Sequence, residues 1–187
     1  MFQGRAVLID AQRSLLLVID FQERLLPVIH EHEPLLANVT WLIRAARTIG
    51  VPVAAVEQYP RGLGSTVKGV RELLADDAVV PKVHFSAVAA RCLGSLPGID
   101  RGQIVLVGTE THVCLLQTAL ELLEEGKEVY VAADAVGSRR VADRDLALAR
   151  MRQEGVRIVT REMVVFEWLR EAATPLFRHV SKTFLRG

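Results

Sequence analysis

The chain has 187 residues, half of them hydrophobic, and its 23 basic and 22 acidic side chains leave a net charge of +1. This size and composition predict a single domain over residues 1–187 with a substantial hydrophobic core. The charge balance, without a basic block, argues against nucleic acid or a membrane surface as partner. The apolar run Ser14–Ile19 is far too short to span a bilayer.

The first half of the chain alternates short apolar runs with longer amphipathic stretches. In chain order the pattern predicts a strand at Leu15–Ile19, a helix at Glu33–Ile49, a strand at Val53–Val56, a loop at Gln58–Ser65, a strand at Val79–His84 and a short helix at Ala87–Leu93. Gly50 ends the first of these helices, and Pro81 suits a strand at the edge of a sheet.

The second half continues the alternation. It predicts a strand at Ile104–Val107, a helix at Val113–Glu124, a strand at Glu128–Ala132, a helix at Asp143–Glu154, a strand at Val156–Val159 and two closing helices at Glu162–Glu171 and Thr174–Phe184. Strands separated by helices indicate an α/β fold, with a mainly parallel sheet and helices on both faces. Ligands of such sheets bind beyond the carboxyl ends of the strands.

Three reactive side chains lie at or after the ends of predicted strands. Asp20 follows the first strand, Lys82 lies in the third, and Cys114 follows the fourth across a turn that opens with Gly108. Each has a structural explanation: Asp often caps a turn, Lys is usually solvated, and a free Cys often behaves as a small buried hydrophobe. Taken singly, each is better explained by structure than by catalysis.

Taken together, the three side chains describe one chemistry. A thiol that attacks a carbonyl needs a base, and a carboxylate such as Asp20 supplies one. A helix start and a nearby ammonium such as Lys82 favour the reactive thiolate of Cys114. Backbone N–H groups in the turn before the thiol are suited to hold the oxyanion of a tetrahedral intermediate.

The segments around these residues resemble the isochorismatase-like cysteine hydrolase family. The matching motifs are Leu16–Gln22, Pro81–Ser86 and Gly108–Cys114, and the similarity runs in order from about Ser14 to Phe184. The resemblance implies a three-layer Rossmann-like fold with a six-stranded sheet. It also implies that Asp20, Lys82 and Cys114 form a catalytic triad.

Two further features of the site come from the same resemblance. It implies a cis peptide bond between Thr109 and Glu110, and an oxyanion hole formed by the amides of Glu110 and Cys114. Members of the family are commonly oligomeric, so a homo-oligomer is expected. Gln58 and Tyr59 after the second strand and Phe85 beside Lys82 are candidate substrate contacts. Turn packing explains Tyr59 equally well, and a core position is the more common outcome for an aromatic residue such as Phe85.

Two departures from the family pattern narrow the expected chemistry. Nicotinamidase-type members bind a metal through an Asp and several His, but Glu57–Gly64 contains no His, so we expect neither a metal nor another cofactor. True isochorismatases cleave a vinyl ether without a cysteine, whereas this chain carries Cys114. We therefore expect hydrolysis of a small amide-type or ureido-type C–N bond.

Several questions stay open from the sequence. A non-catalytic oligomeric binding protein and an isochorismate-type vinyl ether hydrolase are the alternative functions. Glu110 would oppose ionisation of a neighbouring thiol, so it either points away or contacts a partner, while His112 is expected at a surface or interface. Only Cys92 and Cys114 are available for a disulfide, and a chain of this size does not need one, which indicates a reducing, cytoplasmic setting.

Overall fold

Six strands form one sheet in the computed structural model, which describes residues 8–185. The strands are Ser14–Ile19 (β1), Val53–Gln58 (β2), Val79–Lys82 (β3), Gln103–Thr109 (β4), Glu128–Gly137 (β5) and Arg157–Val159 (β6). Their order is β3-β2-β1-β4-β5-β6, and all neighbouring pairs are parallel. The predicted α/β class is confirmed, and β3 lies at an edge, as Pro81 indicated.

The helices fill the connections between the strands. They are His32–Ile49 (α1), Pro60–Leu63 (α2), Lys68–Arg71 (α3), Leu116–Glu124 (α4), Val141–Gln153 (α5), Arg161–Leu169 (α6) and Pro175–Val180 (α7). Short 3-10 turns occur at Leu26–Val28, Asp76–Ala78 and Leu93–Ser95, and π-helical turns at Thr111–Leu115 and Ser181–Leu185. Within residues 8–185, no helix is both long and apolar enough to cross a membrane.

Local chemistry explains where the main helices begin and end. Helix α1 stops at Gly50, whose φ of 90° lies in the left-handed region and whose N–H donates to the carbonyl of Ala46. Helices α6 and α7 each begin after a threonine, because the hydroxyls of Thr160 and Thr174 accept hydrogen bonds from backbone N–H groups of the first turn.

The buried strands divide their side chains between two hydrophobic layers. In β1, Leu16 and Val18 pack in the layer that contains α1 and α6, whereas Leu15, Leu17 and Ile19 pack in the layer that contains α4 and α5. This alternation follows from the two-residue period of a strand. Burying one such side chain contributes about 1.5–3 kcal/mol, so the two layers hold the strand ends rigidly in place.

Three predicted elements differ in the structure. Ala87–Leu93 forms turns instead of a helix, because the Ser86 hydroxyl accepts the N–H of Val88 and Arg91 takes a left-handed φ of 54°. The predicted loop Gln58–Ser65 contains the one-turn helix α2. Strand β5 continues past the predicted Ala132 to Gly137, which brings its far end to the turn after β4.

Candidate active site

The reactive side chains meet where the strand order reverses. Strand β1 lies between β2 and β4, so Asp20, which follows β1, faces side chains from both halves of the sheet. Gln58 and Lys82 are the last residues of β2 and β3 and pair in register. Cys114 lies in the π-helical turn after β4. The structure therefore brings Asp20, Lys82 and Cys114 to the crevice in which ligands bind to open α/β sheets.

Lys82 is the central cation of this cluster. Its ammonium Nζ lies 2.9 Å from Oδ2 of Asp20 and donates to Oε1 of Gln58 at 2.6 Å. The side chains of Lys82 and Asp20 are 0% exposed. Because water cannot replace these partners, the ammonium is fixed between the carboxylate and the amide oxygen.

Gln58 is held in one orientation by its other contacts. Its side-chain Nε2 donates to the carbonyl of Val83 at 2.7 Å, so Oε1 must face the ammonium. The Cys114 Sγ lies 4.0 Å from the same Oε1. Gln22 accepts the backbone N–H of Gln58 at 2.7 Å and donates to its carbonyl at 2.9 Å. Gln22 received no role from the sequence, although it lies in the same motif as Asp20.

The second carboxylate oxygen of Asp20 is different. Within the described part of the chain, Oδ1 is buried and has no hydrogen-bond partner at normal distance, although the Cys114 thiol lies near enough to lower the pKa of Asp20. Burial raises the pKa of Asp20, and this effect outweighs the opposing influences of the Lys82 charge and the Cys114 thiol. A buried acceptor that lacks a donor beside a thiol is suited to take up the thiol proton.

The surroundings of Cys114 oppose ionisation of its thiol. It is only 4% exposed, and burial together with the negative charge of Asp20 raises its pKa, although Lys82 acts in the opposite direction. Lys82 lowers the pKa of Cys114, as expected from the sequence, but burial and the charge of Asp20 raise it by more. The physical reason is that desolvation and a neighbouring carboxylate both penalise a second negative charge.

The turn that carries Cys114 is built without a cis peptide. All peptide bonds of the described residues are trans, so the expected cis bond between Thr109 and Glu110 is wrong. Two residues with positive φ turn the chain instead: Gly108 at 136° and Glu110 at 51°. A Cβ on Gly108 would lie 2.1 Å from the carbonyl oxygen of Ile19, so only glycine fits there.

Glu110 and His112 find partners within the chain. The Glu110 carboxylate receives two hydrogen bonds from Arg139, each 3.2 Å long, and His112 Nδ1 lies 3.0 Å from the Ser138 hydroxyl. Glu110 is thus neutralised by Arg139, and His112 is partly buried instead of lying free at a surface. The largest influences on the pKa of Cys114 are burial, Asp20 and Lys82.

The two aromatic candidates lie outside the buried cluster. Tyr59 is 53% exposed and Phe85 is 54% exposed. Tyr59, Val83 and His84 line an open groove of about 550 Å³ along the outer side of β3. Gln58, the third candidate substrate contact, instead holds Lys82.

The donor set does not fit a metal. In residues 8–185, no three side chains of His, Cys, Asp or Glu cluster in a way that could hold a metal ion. At the end of β2 the chain places the amide of Gln58 and the ring of Tyr59.

The fold and site together define an α/β protein with a buried carboxylate, ammonium and thiol at a topological switch point. The family model for the Isochorismatase domain matches residues 14–163, and the chain belongs to this family. It is 39% identical over 170 residues to Isochorismatase domain-containing protein 1 of Danio rerio. That match covers 89% of this chain but 59% of the fish protein, so the chain spans little more than half of that relative's length.

Solved structures agree with the fold. The chain is 34% identical to a structure described as the MAR1 ribonuclease from Caenorhabditis elegans, with a TM-score of 0.86 over 97% of this chain and 94% of that one. The YcaC gene product of Escherichia coli, described as an octameric hydrolase of unknown specificity, gives a TM-score of 0.89 at 23% identity, covering 98% and 93%. At that identity the likeness shows the fold alone.

Proposed function

We propose that this protein is a cysteine hydrolase that cleaves a C–N bond of a small amide or ureido compound through an acyl intermediate on Cys114. The observation that carries the proposal is the buried cluster in which Lys82 occupies one oxygen of Asp20 while the other has no donor. A purely structural ion pair gains nothing from an unpartnered buried oxygen, because leaving it without a donor costs about 1–3 kcal/mol.

The first half of the reaction begins with proton transfer. Asp20 takes the proton of Cys114 as the thiolate attacks the substrate carbonyl, so the S–C bond forms while the carbonyl electron pair moves to oxygen. The raised pKa of Asp20 makes this carboxylate a better base than an ordinary one. When the tetrahedral intermediate collapses, the C–N bond breaks and the leaving nitrogen takes the proton from Asp20.

The second half returns the enzyme to its starting state. A water molecule gives a proton to Asp20 and attacks the acyl carbon. The C–S bond then breaks, the acid leaves, and Asp20 returns the proton to the sulfur of Cys114. The Lys82 ammonium stabilises the negative charge that passes between Asp20 and Cys114. The backbone amides of Glu110 and Cys114 serve as the oxyanion hole, and each such donor is worth about 3–4 kcal/mol of barrier.

The surroundings of the cluster support a small substrate. The thiol is nearly sealed, so the scissile group must be compact, and exposed Tyr59 and Phe85 are the candidate contacts for the remainder of the molecule. We also propose a homo-oligomer, which the family resemblance of the sequence implies. A cytoplasmic location and the absence of a nucleic-acid partner stay predictions.

The test is a panel of small amides, ureides and carbamoyl compounds, assayed with wild type, Cys114→Ala and a Cys92→Ala control. We expect at least one compound to be hydrolysed and Cys114→Ala to lose about 10⁴-fold or more in kcat. Cys92→Ala should keep its activity. Intact mass under rapid quench should show an acyl adduct that Cys114→Ala lacks.

The same panel separates the alternatives. Isochorismate tests the vinyl ether hydrolase, whose activity Cys114→Ala would retain. RNA is included because the C. elegans structural relative is described as a ribonuclease. A protein that turns over nothing in the panel and whose Cys114→Ala variant keeps its cellular effect would be a binding protein, and the hydrolase proposal would be abandoned.

A further inference from the structure

Three consecutive residues after the core of β5 hold the turn that carries the nucleophile. We call Gly137–Arg139 the β5 strap. Its Gly137 carbonyl accepts from the Thr111 hydroxyl at 3.0 Å, and its Ser138 hydroxyl lies 3.0 Å from His112 Nδ1. Its third residue, Arg139, binds Glu110. Each strap residue thus engages a different residue of the turn.

The contact between Arg139 and Glu110 has the geometry of a fork. Nε and Nη2 of Arg139 each donate to a separate oxygen of the Glu110 carboxylate at 3.2 Å. The Glu110 side chain is only 9% exposed, whereas that of Arg139 is 58% exposed. A bidentate contact fixes both the position and the plane of the carboxylate, which a single contact would not do.

Glu110 needs such support because of its backbone. Its φ of 51° and ψ of 55° lie in the left-handed region, which is unfavourable for a residue with a long side chain. Such conformations persist where surrounding contacts impose them, and they concentrate at functional sites. The strained residue is also the one whose amide the proposed mechanism uses.

We propose that Arg139 is a positioning residue which, through Glu110, aims the backbone N–H of Glu110 at the developing oxyanion. This inference rests on the proposed cysteine hydrolase function. Arg139 touches neither Cys114 nor the substrate in this role. It acts by holding one peptide in the orientation that the oxyanion hole requires, and an oxyanion donor displaced by a fraction of an ångström loses much of its effect.

The test uses a probe that needs the oxyanion hole and one that does not. Acetaldehyde adds to a thiol, so that an S–C bond forms, the carbonyl pair moves to oxygen, and the thiol proton stays on Asp20, which leaves the adduct oxygen as an oxyanion. Its affinity, measured as protection of Cys114, reports the oxyanion donors. Alkylation by iodoacetamide displaces iodide without an oxyanion, so its rate reports thiolate supply alone.

We expect Arg139→Gln to weaken acetaldehyde binding about tenfold while the alkylation rate stays within about threefold of wild type. Arg139→Lys keeps the charge but loses the bidentate contact, so its acetaldehyde affinity should lie between those of wild type and Arg139→Gln. Arg140→Gln is the matched control at the exposed neighbouring residue and should bind acetaldehyde as wild type does. Thermal unfolding of each variant confirms that it is folded.

A Glu110→Gly background makes the test decisive. Glycine adopts positive φ without support, so Arg139→Gln should change acetaldehyde binding by less than about twofold in that background. Equal acetaldehyde affinities of wild type and Arg139→Gln would overturn the positioning role alone. So would a parallel loss of alkylation, which would place the effect on the thiol. If acetaldehyde does not protect Cys114 of the wild type, the hydrolase proposal itself fails.

Discussion

Two carboxylates are buried at opposite ends of the same sheet, and their surroundings differ. Glu128 at the amino end of β5 receives hydrogen bonds from Arg13 and Arg157, at 2.9 and 3.0 Å, and from the Tyr130 hydroxyl. Asp20 at the carboxyl end of β1 has one cation and one oxygen without a donor in the described chain.

The pKa values of the two carboxyl groups move in opposite directions as a result. Burial alone would raise the pKa of Glu128, but the hydrogen bond and charge of Arg13, helped by Gln103 and Arg157, lower it. Burial dominates at Asp20 and raises its pKa. A carboxylate that serves stability has all its oxygens satisfied, whereas one that serves as a base keeps an oxygen ready to accept a proton.

The largest effect is expected from Asp20→Asn, which removes the carboxylate with the unpaired oxygen. Removing the base should lower kcat/KM about 10³-fold. Because the charge of Asp20 raises the pKa of Cys114, the same change should lower that pKa and speed alkylation by iodoacetamide at pH 8. Glu128→Gln removes the same charge at the other end and should alter neither rate. Hydrolysis within tenfold of wild type would contradict the assignment of Asp20 as base, and slower alkylation would show that the charge of Asp20 does not hold back ionisation of Cys114.

Replacing Gln58 probes how the ammonium is held. In Gln58→Leu, Lys82 loses its 2.6 Å acceptor in a place that water does not reach, so kcat/KM should fall about 10-fold to 100-fold. Steady-state kinetics of this variant are compared with Gln117→Leu, the same replacement at an exposed position of α4. If both variants match the wild type, Gln58 has no part in orienting Lys82.

The sequence contained the chemistry of the site but not its geometry. Asp20, Lys82 and Cys114 could be found because each lies at or just after a strand end, and parallel strands bring their ends to one edge of the sheet. That Lys82 would engage one oxygen of Asp20 and leave the other unpaired depends on packing across three strands, which no local pattern encodes.

The strap was beyond sequence reasoning for a different reason. The apolar pattern of β5 ends near Ala132, and the continuation to Gly137 depends on pairing with β4 after an irregularity between Leu106 and Gly108. Without that extension, Arg139 has no predictable neighbour.

A helix was predicted over Ala87–Leu93 because its composition is helical, but the Ser86 side chain and the positive φ of Arg91 produce turns instead.

Stability should respond to the other carboxylate. Glu128→Gln removes the carboxylate that Arg13 and Arg157 both bind, and we expect a loss of about 1–3 kcal/mol in the free energy of unfolding, measured with urea. The lower part of that range is favoured because Arg13 and Arg157 are themselves more than a third exposed, and solvent screens them. The kcat/KM of Glu128→Gln should match the wild type. An unchanged free energy of unfolding would mean that this cluster contributes nothing to stability.

Protonation of Asp20 and of Glu128, at the two ends of the sheet, should occur at different pH values. Hydrolysis needs ionised Asp20, whose pKa is raised, so the acid limb of kcat/KM should lie above the usual range near pH 4. Glu128 binds protons less readily in the folded state, so its stabilisation is present above pH ~4.3 and disappears as pH falls through its lowered folded pKa. As the pH falls, activity should thus be lost before the stabilisation by Glu128. Parallel kinetic and urea measurements from pH 7 to pH 3 test this order. The reverse order would contradict the difference between Asp20 and Glu128.

The burial of Cys114 also determines how the protein tolerates oxidants. Peroxides attack the thiolate, and a thiol with a raised pKa and 4% exposure presents almost none of it. A nucleophile that ionises only as substrate arrives is shielded from conversion to sulfenic acid between turnovers. Under the proposed mechanism the same enclosed carboxylate supplies both redox protection and catalysis, and a variant that exposes the thiol should gain reactivity and lose lifetime.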